Sequence, residues 1–300
     1  MAILADKVAH RAPALWLEVG PPRGVNPEPL LRRLAALVGH VDAINLTDNA
    51  LGKVKMSSIA FGTIVKLRLG LPVVINLSCR DRNRFALKSD LIGAAALGID
   101  AIVALTGDKI PPDDPSGARA VHDLDAFALL RIVGALNRGD TGEGKALLKK
   151  VPDIFAGAVA NPNRKNIAHE FEMLKRKADA GAKFVITQPV FDLRLLEEFL
   201  NRIEGHRIPV IAGIWPLTSL RNAEFMKNDL RVSMPEEIML RMAQASTPDA
   251  ARKEGILIAQ EMLEAVRPLV QGVQVSAPFG RYTAAAEVIA SVLPEAPSTV

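Results

Sequence analysis

The sequence predicts an α/β chain closed into a (β/α)8 TIM barrel, and three observations carry that reading. Eight short β-prone runs alternate with longer Leu/Ala-rich stretches of helical spacing. Several of the runs (VVINL, AIVAL, FVIT) are almost continuously apolar, as strands covered on both faces must be. The 300 residues, 49% apolar and only 4% aromatic, are enough for a barrel of roughly 250 residues with an aliphatic core.

The strands are expected, in order, at Ala14–Glu18, Val41–Leu46, Pro72–Leu77, Ala101–Leu105, Ile154–Ala160, Lys183–Thr187, Ile208–Ile214 and Gly272–Ser276. Between the first two, Leu30, Leu31, Leu34 and Leu37 recur at helical spacing and mark the first covering helix. Leu97-Gly98 and Ala180-Gly181 read as helix ends, where glycine commonly follows the last turn. Two connections exceed a bare βα unit. The fourth contains Lys109–Gly117 and Asn137–Lys145, both rich in Gly, Asp and Pro; the seventh contains Thr218–Pro268, with at least two helices. No linker divides the chain.

Composition removes whole classes of function. A single cysteine, Cys79, excludes a disulfide framework or a multi-cysteine zinc or iron–sulfur site built by this chain alone, and past a buried strand it reads as a small core hydrophobe. The five histidines (10, 40, 122, 169, 206) show no HxH or HExxH spacing, so no metal site is expected. The net charge of +4 is mild and the cations are scattered among acids, which argues against nucleic acid while leaving anionic ligands open. Met1–Pro13 lacks the apolar stretch of a signal peptide, and Leu91–Leu105 is too short to span a bilayer and contains Asp100. These features predict a soluble cytoplasmic protein with no membrane association.

In such barrels the chemistry collects at the C-terminal ends of the strands, and here those ends are polar. The first ends in Glu18, before Gly20-Pro21-Pro22, and the second in Asn45, Thr47, Asp48 and Asn49. The third runs into Asn76, Ser78, Arg80, Asp81, Arg82 and Asn83, and the fourth into Thr106-Gly107-Asp108. The fifth ends in Asn161-Pro162-Asn163, the sixth in Thr187-Gln188-Pro189, and the eighth leads to Arg281. There is no GxGxxG and no GxxxxGK[ST], so neither dinucleotide nor P-loop phosphate binding is signalled. No lysine ends a strand, which weakens a Schiff-base aldolase.

Four of these segments, in this order and spacing, resemble the methylenetetrahydrofolate reductase family: Leu17-Glu18-Val19-Gly20-Pro21-Pro22, Ala104-Leu105-Thr106-Gly107-Asp108, Leu174–Ala182 (LKRKADAGA) and Ile186-Thr187-Gln188. The likeness runs over roughly residues 14 to 290. Cys79-Arg80-Asp81-Arg82-Asn83, Ala160-Asn161-Pro162-Asn163 and Pro278-Phe279-Gly280-Arg281-Tyr282 are similar to a short bacterial branch, including the reductase half of fusions with homocysteine methyltransferase. The resemblance implies that residues 1–300 form a single reductase-like TIM-barrel domain, an oxidoreductase of one-carbon metabolism and methionine biosynthesis. Its implied reaction is the flavin-dependent reduction of 5,10-methylenetetrahydrofolate to 5-methyltetrahydrofolate by hydride transfer.

The chemistry implied requires the folate's imidazolidine ring to open before it accepts hydride, and opening requires a proton on the leaving nitrogen. Glu18, between Leu17 and Val19 at a strand end, is the expected acid. Asp108, after a glycine, is the expected partner of the flavin ring or the pterin. Gln188 matches the pterin's amide edge, Arg281 the glutamate tail, and Leu220 the folate or nicotinamide face, with Trp215 as its substitute. The expected cofactor is FAD, with FMN as the alternative. Its contacts would be Thr47, Asn76, Leu105, Thr106, Gly107 and Asp108 at the ring, and Asn161, Lys165, Glu170 and Lys177 towards the ribityl, phosphate or adenine.

Departures from the family pattern are Val19 and Gly20 where aromatic residues are usual, Asn76 for a histidine, Asn161 for a tyrosine and Leu220 for an aromatic. Expected partners are methylenetetrahydrofolate and NAD(P)H, NADH included, or a partner electron-transfer subunit, with self-association into a homo-oligomer. A reading from another class is a non-catalytic folate- or corrinoid-binding barrel subunit of a methyltransferase complex. Glu18 with Asp108 separates the two, because a binding module has no need of a proton donor.

Overall fold

In the computed structural model, which describes residues 2–9, 13–110, 113–142, 144, 146, 152–206 and 208–293, eight strands pair in parallel and in chain order, the eighth returning to the first. They are β1 (Ala14–Val19), β2 (Ala43–Leu46), β3 (Val73–Ser78), β4 (Ala101–Leu105), β5 (Phe155–Ala160), β6 (Val185–Pro189), β7 (Val210–Ile214) and β8 (Gly272–Ser276). All eight expected strands are present, with ends moved by a few residues. Residues 111 and 112 of the first long loop, 143 and 145 of the second, residues 1 and 10–12 of the N-terminal stretch (His10 among them) and 294–300 lie outside the described residues.

Eleven helices accompany the strands among the described residues: α1 (Ala2–Ala9), α2 (Glu28–Ala35), α3 (Ser58–Leu69), α4 (Arg84–Ala96), α5 (Ala126–Asn137), α6 (Ile167–Asp179), α7 (Leu193–Ile203), α8 (Leu220–Asn228), α9 (Glu236–Gln244), α10 (Pro248–Val266) and α11 (Tyr282–Ala290). Three of them, α8, α9 and α10, fill the long connection before β8. Side-chain oxygens of Ser57, Asn83, Asp125, Asn166, Asp192, Ser219 and Thr247 accept from the first turns of α3, α4, α5, α6, α7, α8 and α10. Each cap satisfies an orphan N–H at a helix start; all but Thr247, which follows α9, stand where the chain turns from a strand's C-terminal end into a helix.

Alternation along each strand divides the apolar residues between two cores. Outward-facing Leu15, Leu17, Val19, Ile44, Val73, Ile75 and Leu77 belong to the large cluster beneath the helices. Inward-facing Ala14, Trp16, Ala43, Val74, Ala101, Val103, Phe184, Ile186 and Ile211 fill the barrel, and Leu4 and Val8 of α1 join them. Trp16 meets Phe184 edge to face at 5.4 Å between ring centres, and Phe155 stacks on Phe184 at 5.0 Å. Gly157 makes room for this plug, since a Cβ there would lie 2.4 Å from the Phe184 ring. This plug fills the lower half of the barrel interior, and the polar strand ends surround the open space above it. No helix of the described residues is long and apolar enough to cross a membrane.

Candidate functional site

A cavity of about 550 Å³ opens at that end of the barrel. Its walls include Glu18, Asn45, Thr47, Asp48, Asn76, Ser78, Arg80, Leu105, Thr106, Gly107, Asp108, Arg164, Gln188, Trp215, Met226, Leu230, Gln274 and Ser276. Thus Glu18, Thr47, Asn76, Leu105, Thr106, Gly107, Asp108 and Gln188, which the sequence singles out separately, line one space. Asn161, Lys165, Glu170, Lys177, Leu220 and Arg281 do not line it.

The strand register places Glu18. In β1 it is level with Asn45 of β2 on one side and Ser276 of β8 on the other. Gln274 Nε2 donates to Glu18 Oε2 at 2.9 Å, Ser276 Oγ donates to Oε1 at 3.3 Å, and Asn45 Nδ2 donates to Gln274 Oε1 at 2.7 Å. The carboxylate therefore rests on neutral donors rather than on a rim arginine. Burial pushes its pKa above the ordinary carboxylate range, against the smaller opposing effects of the Ser276 hydrogen bond and the Lys55 ammonium.

Asp108 sits on the opposite wall, exposed to the cavity, at the end of β4. It does not cap a helix; Asp125 caps α5 instead. Gly107 has φ +96°, and a Cβ on it would lie 2.4 Å from Ser78 Oγ and 2.6 Å from Arg80 Cβ. Glycine is thus required both by conformation and by the closeness of β3. Arg80 is buried, bidentate to Asp81 at 2.6 and 2.8 Å, and donates to the Asn49 carbonyl at 3.0 Å. Asp48 accepts from Arg82 at 2.6 and 3.2 Å and from the Ser78 amide at 3.0 Å, locking the ends of β2 and β3 together.

Three buried oxygens on these walls, Asn45 Oδ1, Thr47 Oγ1 and Asn76 Oδ1, have no hydrogen-bond partner among the described residues. Buried polar atoms left unpaired cost stability, and these three belong to residues that line one cavity, where a polar ligand could pair them. A flat heteroaromatic ring edged with amide-type N–H and carbonyl groups suits them, as does the wall of Trp215, Met226 and Leu230. A flavin ring or a pterin has that chemistry.

Beyond the cavity, Glu170 is buried and engaged: Oε1 accepts from the Asn161 amide at 2.9 Å and Oε2 pairs with Arg164 at 2.8 Å. Lys177 Nζ donates to the Val159 carbonyl at 2.6 Å. Burial lowers its pKa, with Glu170 opposing and Arg164 adding to the fall. Lys165 and Arg281 are exposed, and Leu220 packs with Trp215 in a third cluster of α8, α9 and α10. Trp215 therefore supplies the aromatic surface at the end of β7. Cys79 is fully buried, and burial followed by Asp125 pushes its thiol up to about 11, which leaves it protonated. No cluster of His, Cys, Asp and Glu among the described residues is arranged to hold a metal ion.

Sequence reasoning missed Gln274, Arg164, Met226 and Leu230 as wall residues. Gln274 did carry a signal, a lone amide in the middle of an apolar strand. Arg164, Met226 and Leu230 reach the cavity from loops and an inserted helix, which no local pattern reveals.

A family model described as methylenetetrahydrofolate reductase matches residues 4–276. The 5,10-methylenetetrahydrofolate reductase of Salmonella typhimurium is 30% identical over 207 residues, covering 67% of this chain and 63% of that protein. Methylenetetrahydrofolate reductase 2 of Schizosaccharomyces pombe is 24% identical over 280 residues, covering 90% of this chain and 43% of that one. The chain therefore spans less than two thirds of the length of these relatives. Among solved structures, an uncharacterized protein from Clostridium thermocellum that binds two copies of 5-methyl-5,6,7,8-tetrahydrofolic acid aligns with a TM-score of 0.59 at 17% identity, covering 96% of this chain and 97% of that one. At that identity the likeness shows the fold alone. The match to the family model takes in all eight strands and the whole cavity, and by it the chain belongs to the methylenetetrahydrofolate reductase family.

Proposed function

We propose that this chain reduces 5,10-methylenetetrahydrofolate to 5-methyltetrahydrofolate by hydride transfer. The observation that carries the reading is Glu18: a carboxyl at the cavity floor, fixed by Gln274 and Ser276 and raised in pKa by burial. Family membership, the activity in the names of the relatives and the folate ligand of the Clostridium protein support the same substrate.

The family is flavin-dependent in general, and the unpartnered oxygens of Asn45, Thr47 and Asn76 fit such a ring. A bound flavin, FAD in this reading, would supply the hydride. NAD(P)H or a partner electron-transfer subunit would supply its electrons. Glu18 donates a proton to the ring nitrogen that leaves as the imidazolidine opens, so that the exposed methylene carbon becomes electrophilic. Asp108 and Gln188, both exposed to the cavity, hold the pterin's N–H and carbonyl edge. Trp215 gives the planar ligands an apolar face and helps to exclude water.

The test is the visible absorption spectrum of freshly purified protein, followed by identification of the released chromophore. Flavin bands that a donor bleaches and methylenetetrahydrofolate restores are the expected result. A colourless protein that neither FAD nor FMN reconstitutes, and that binds folate without turning it over, would overturn the reading in favour of a folate-binding barrel.

A further inference from the structure

Directly above Glu18 the chain has no side chain. Trp16 and Glu18 face inward on β1; continued one residue past the strand's end at Val19, the same alternation brings position 20 over the carboxyl, and it is glycine. That space is taken from elsewhere. A Cβ built on Gly20 would lie 2.1 Å from Lys55 Nζ and 3.5 Å from Thr47 Oγ1. The ammonium thus occupies the room that glycine leaves.

Lys55 comes from the loop between β2 and α3, and the loop is fastened on both sides of it. The Lys55 amide donates to Asn49 Oδ1 at 3.1 Å, and the Met56 amide donates to the Pro22 carbonyl at 2.8 Å. The half-buried side chain therefore starts from a fixed backbone, and no ion pair draws it away among the described residues. Lys55 is the charged group whose field acts on Glu18, without an ion pair between them; the groups hydrogen-bonded to the carboxyl, Gln274 and Ser276, are neutral. Burial lowers the pKa of the ammonium, and the positive charges of Arg23 and Lys53 add to the fall against the opposing charge of Glu18.

We propose that Lys55 is the positioning residue for the Glu18 proton, its ammonium seated over Gly20 so that the carboxylate left after proton donation meets a fixed positive charge. The assignment rests on Glu18 being the proton donor. A cation near an acid stabilises its ionised form and makes it a stronger acid. With Lys55 in place, Glu18 gives up its proton more readily than burial alone would allow, while burial still holds its pKa above that of a free carboxyl. Gly20 makes the arrangement possible, because a Cβ there would force the ammonium to shift.

The experiment follows the Glu18 carboxyl directly by pH-difference infrared spectroscopy of the purified protein, with the Glu18→Gln variant identifying the band. It is paired with the pH profile of folate reduction. In Lys55→Met, the ionisation midpoint of Glu18 rises by about one pH unit, and the alkaline limb of the profile moves up with it. The plateau rate falls several-fold while KM for the folate holds. Lys55→Arg retains the wild-type midpoint. Gly20→Ala raises the midpoint without removing the charge, and combining it with Lys55→Met adds nothing further, as expected when both act through the one ammonium. An unmoved midpoint in Lys55→Met overturns the proposal, as does a raised folate KM with an unmoved limb, which would make Lys55 a substrate anchor. If the band follows Lys55 but Glu18→Gln still reduces the folate, the electrostatic pairing stands and the proton-donor reading falls.

Discussion

Gln274 and Glu18 face each other across the seam where the barrel closes, with Gln274 Nε2 2.9 Å from Glu18 Oε2. The Gln274 carbonyl is held in turn by Asn45 at 2.7 Å, so its amide has one orientation, with the N–H towards the carboxylate. That donor fixes the orientation of the carboxyl in the cavity. In Gln274→Leu both contacts vanish. Folate reduction should fall roughly ten- to a hundredfold, in line with a lost hydrogen bond to a charged group. Donor-driven flavin reduction should stay near wild type. Separate stopped-flow traces of the two half-reactions check this, and equal losses in both would point to general collapse of the site.

Glu18→Gln removes the acid while keeping the shape and the hydrogen-bonding side chain. Folate reduction should drop by about 10²- to 10⁴-fold, the usual share of general acid catalysis, and reduction of the flavin by its donor should persist. Normal folate reduction in this variant would remove Glu18 from the chemistry.

The same residue ties stability to pH. Burial raises the Glu18 pKa in the folded state above its value in the unfolded chain. The folded state then holds the proton more tightly, so this group's contribution to stability is complete below the unfolded pKa and is lost as pH rises through the folded one. Glutamine does not titrate. The melting temperature of Glu18→Gln relative to wild type should therefore climb as pH is raised from acid towards neutrality, and then level off. A difference that stays flat with pH would show the carboxyl to be unperturbed.

Gly107 gives a test of the opposite wall. With φ at +96° and Ser78 and Arg80 packed against the place of a Cβ, alanine there must push the end of β4 away from β3. The displacement falls on Asp108, the next residue. Gly107→Ala should lose ligand affinity by tenfold or more, read by equilibrium titration with a folate or with free flavin. The rest of the barrel should keep its helical circular dichroism. Unchanged affinity would separate Asp108 from the ligand.

The fold was legible because its signals are local. An apolar run such as Val73–Leu77, buried on both faces, has few alternatives to a covered strand, and Gly98 and Gly181 stand where helices end. The ring of polar strand ends was legible for the same reason, since each follows its own strand. Contacts between distant segments were not. Lys55 over Gly20 joins residues 35 positions apart on an irregular loop, and nothing near either one announces the other. The lysines and acid of α6 show the converse. Glu170 and Lys177 suit a phosphate or an adenine by type, yet their side chains engage the Asn161 amide, Arg164 and the Val159 carbonyl. Residue type indicates what a side chain can bind, and only packing shows what it has already bound.

The wall carrying Trp215 depends on a contact far from any polar group. α10 crosses the chain that leaves β7 at Gly255, where a Cβ would lie 1.9 Å from the Leu217 carbonyl oxygen and 2.6 Å from its carbon. Both are backbone atoms and cannot rotate aside. Gly255→Ala must therefore shift the helix or the segment Trp215–Leu217, and overpacking of this kind costs about 1–3 kcal/mol or more. Leu217 and Met226 share the cluster beneath α8, with Trp215 and Leu220 packed against it, so the strain should pass to the cavity wall. The expected outcome is a lower melting temperature together with a weakened quenching of tryptophan fluorescence by bound folate; Trp16, sealed in the barrel plug, reports no such change. A destabilised variant with unaltered quenching would show that the wall is held by β7 alone.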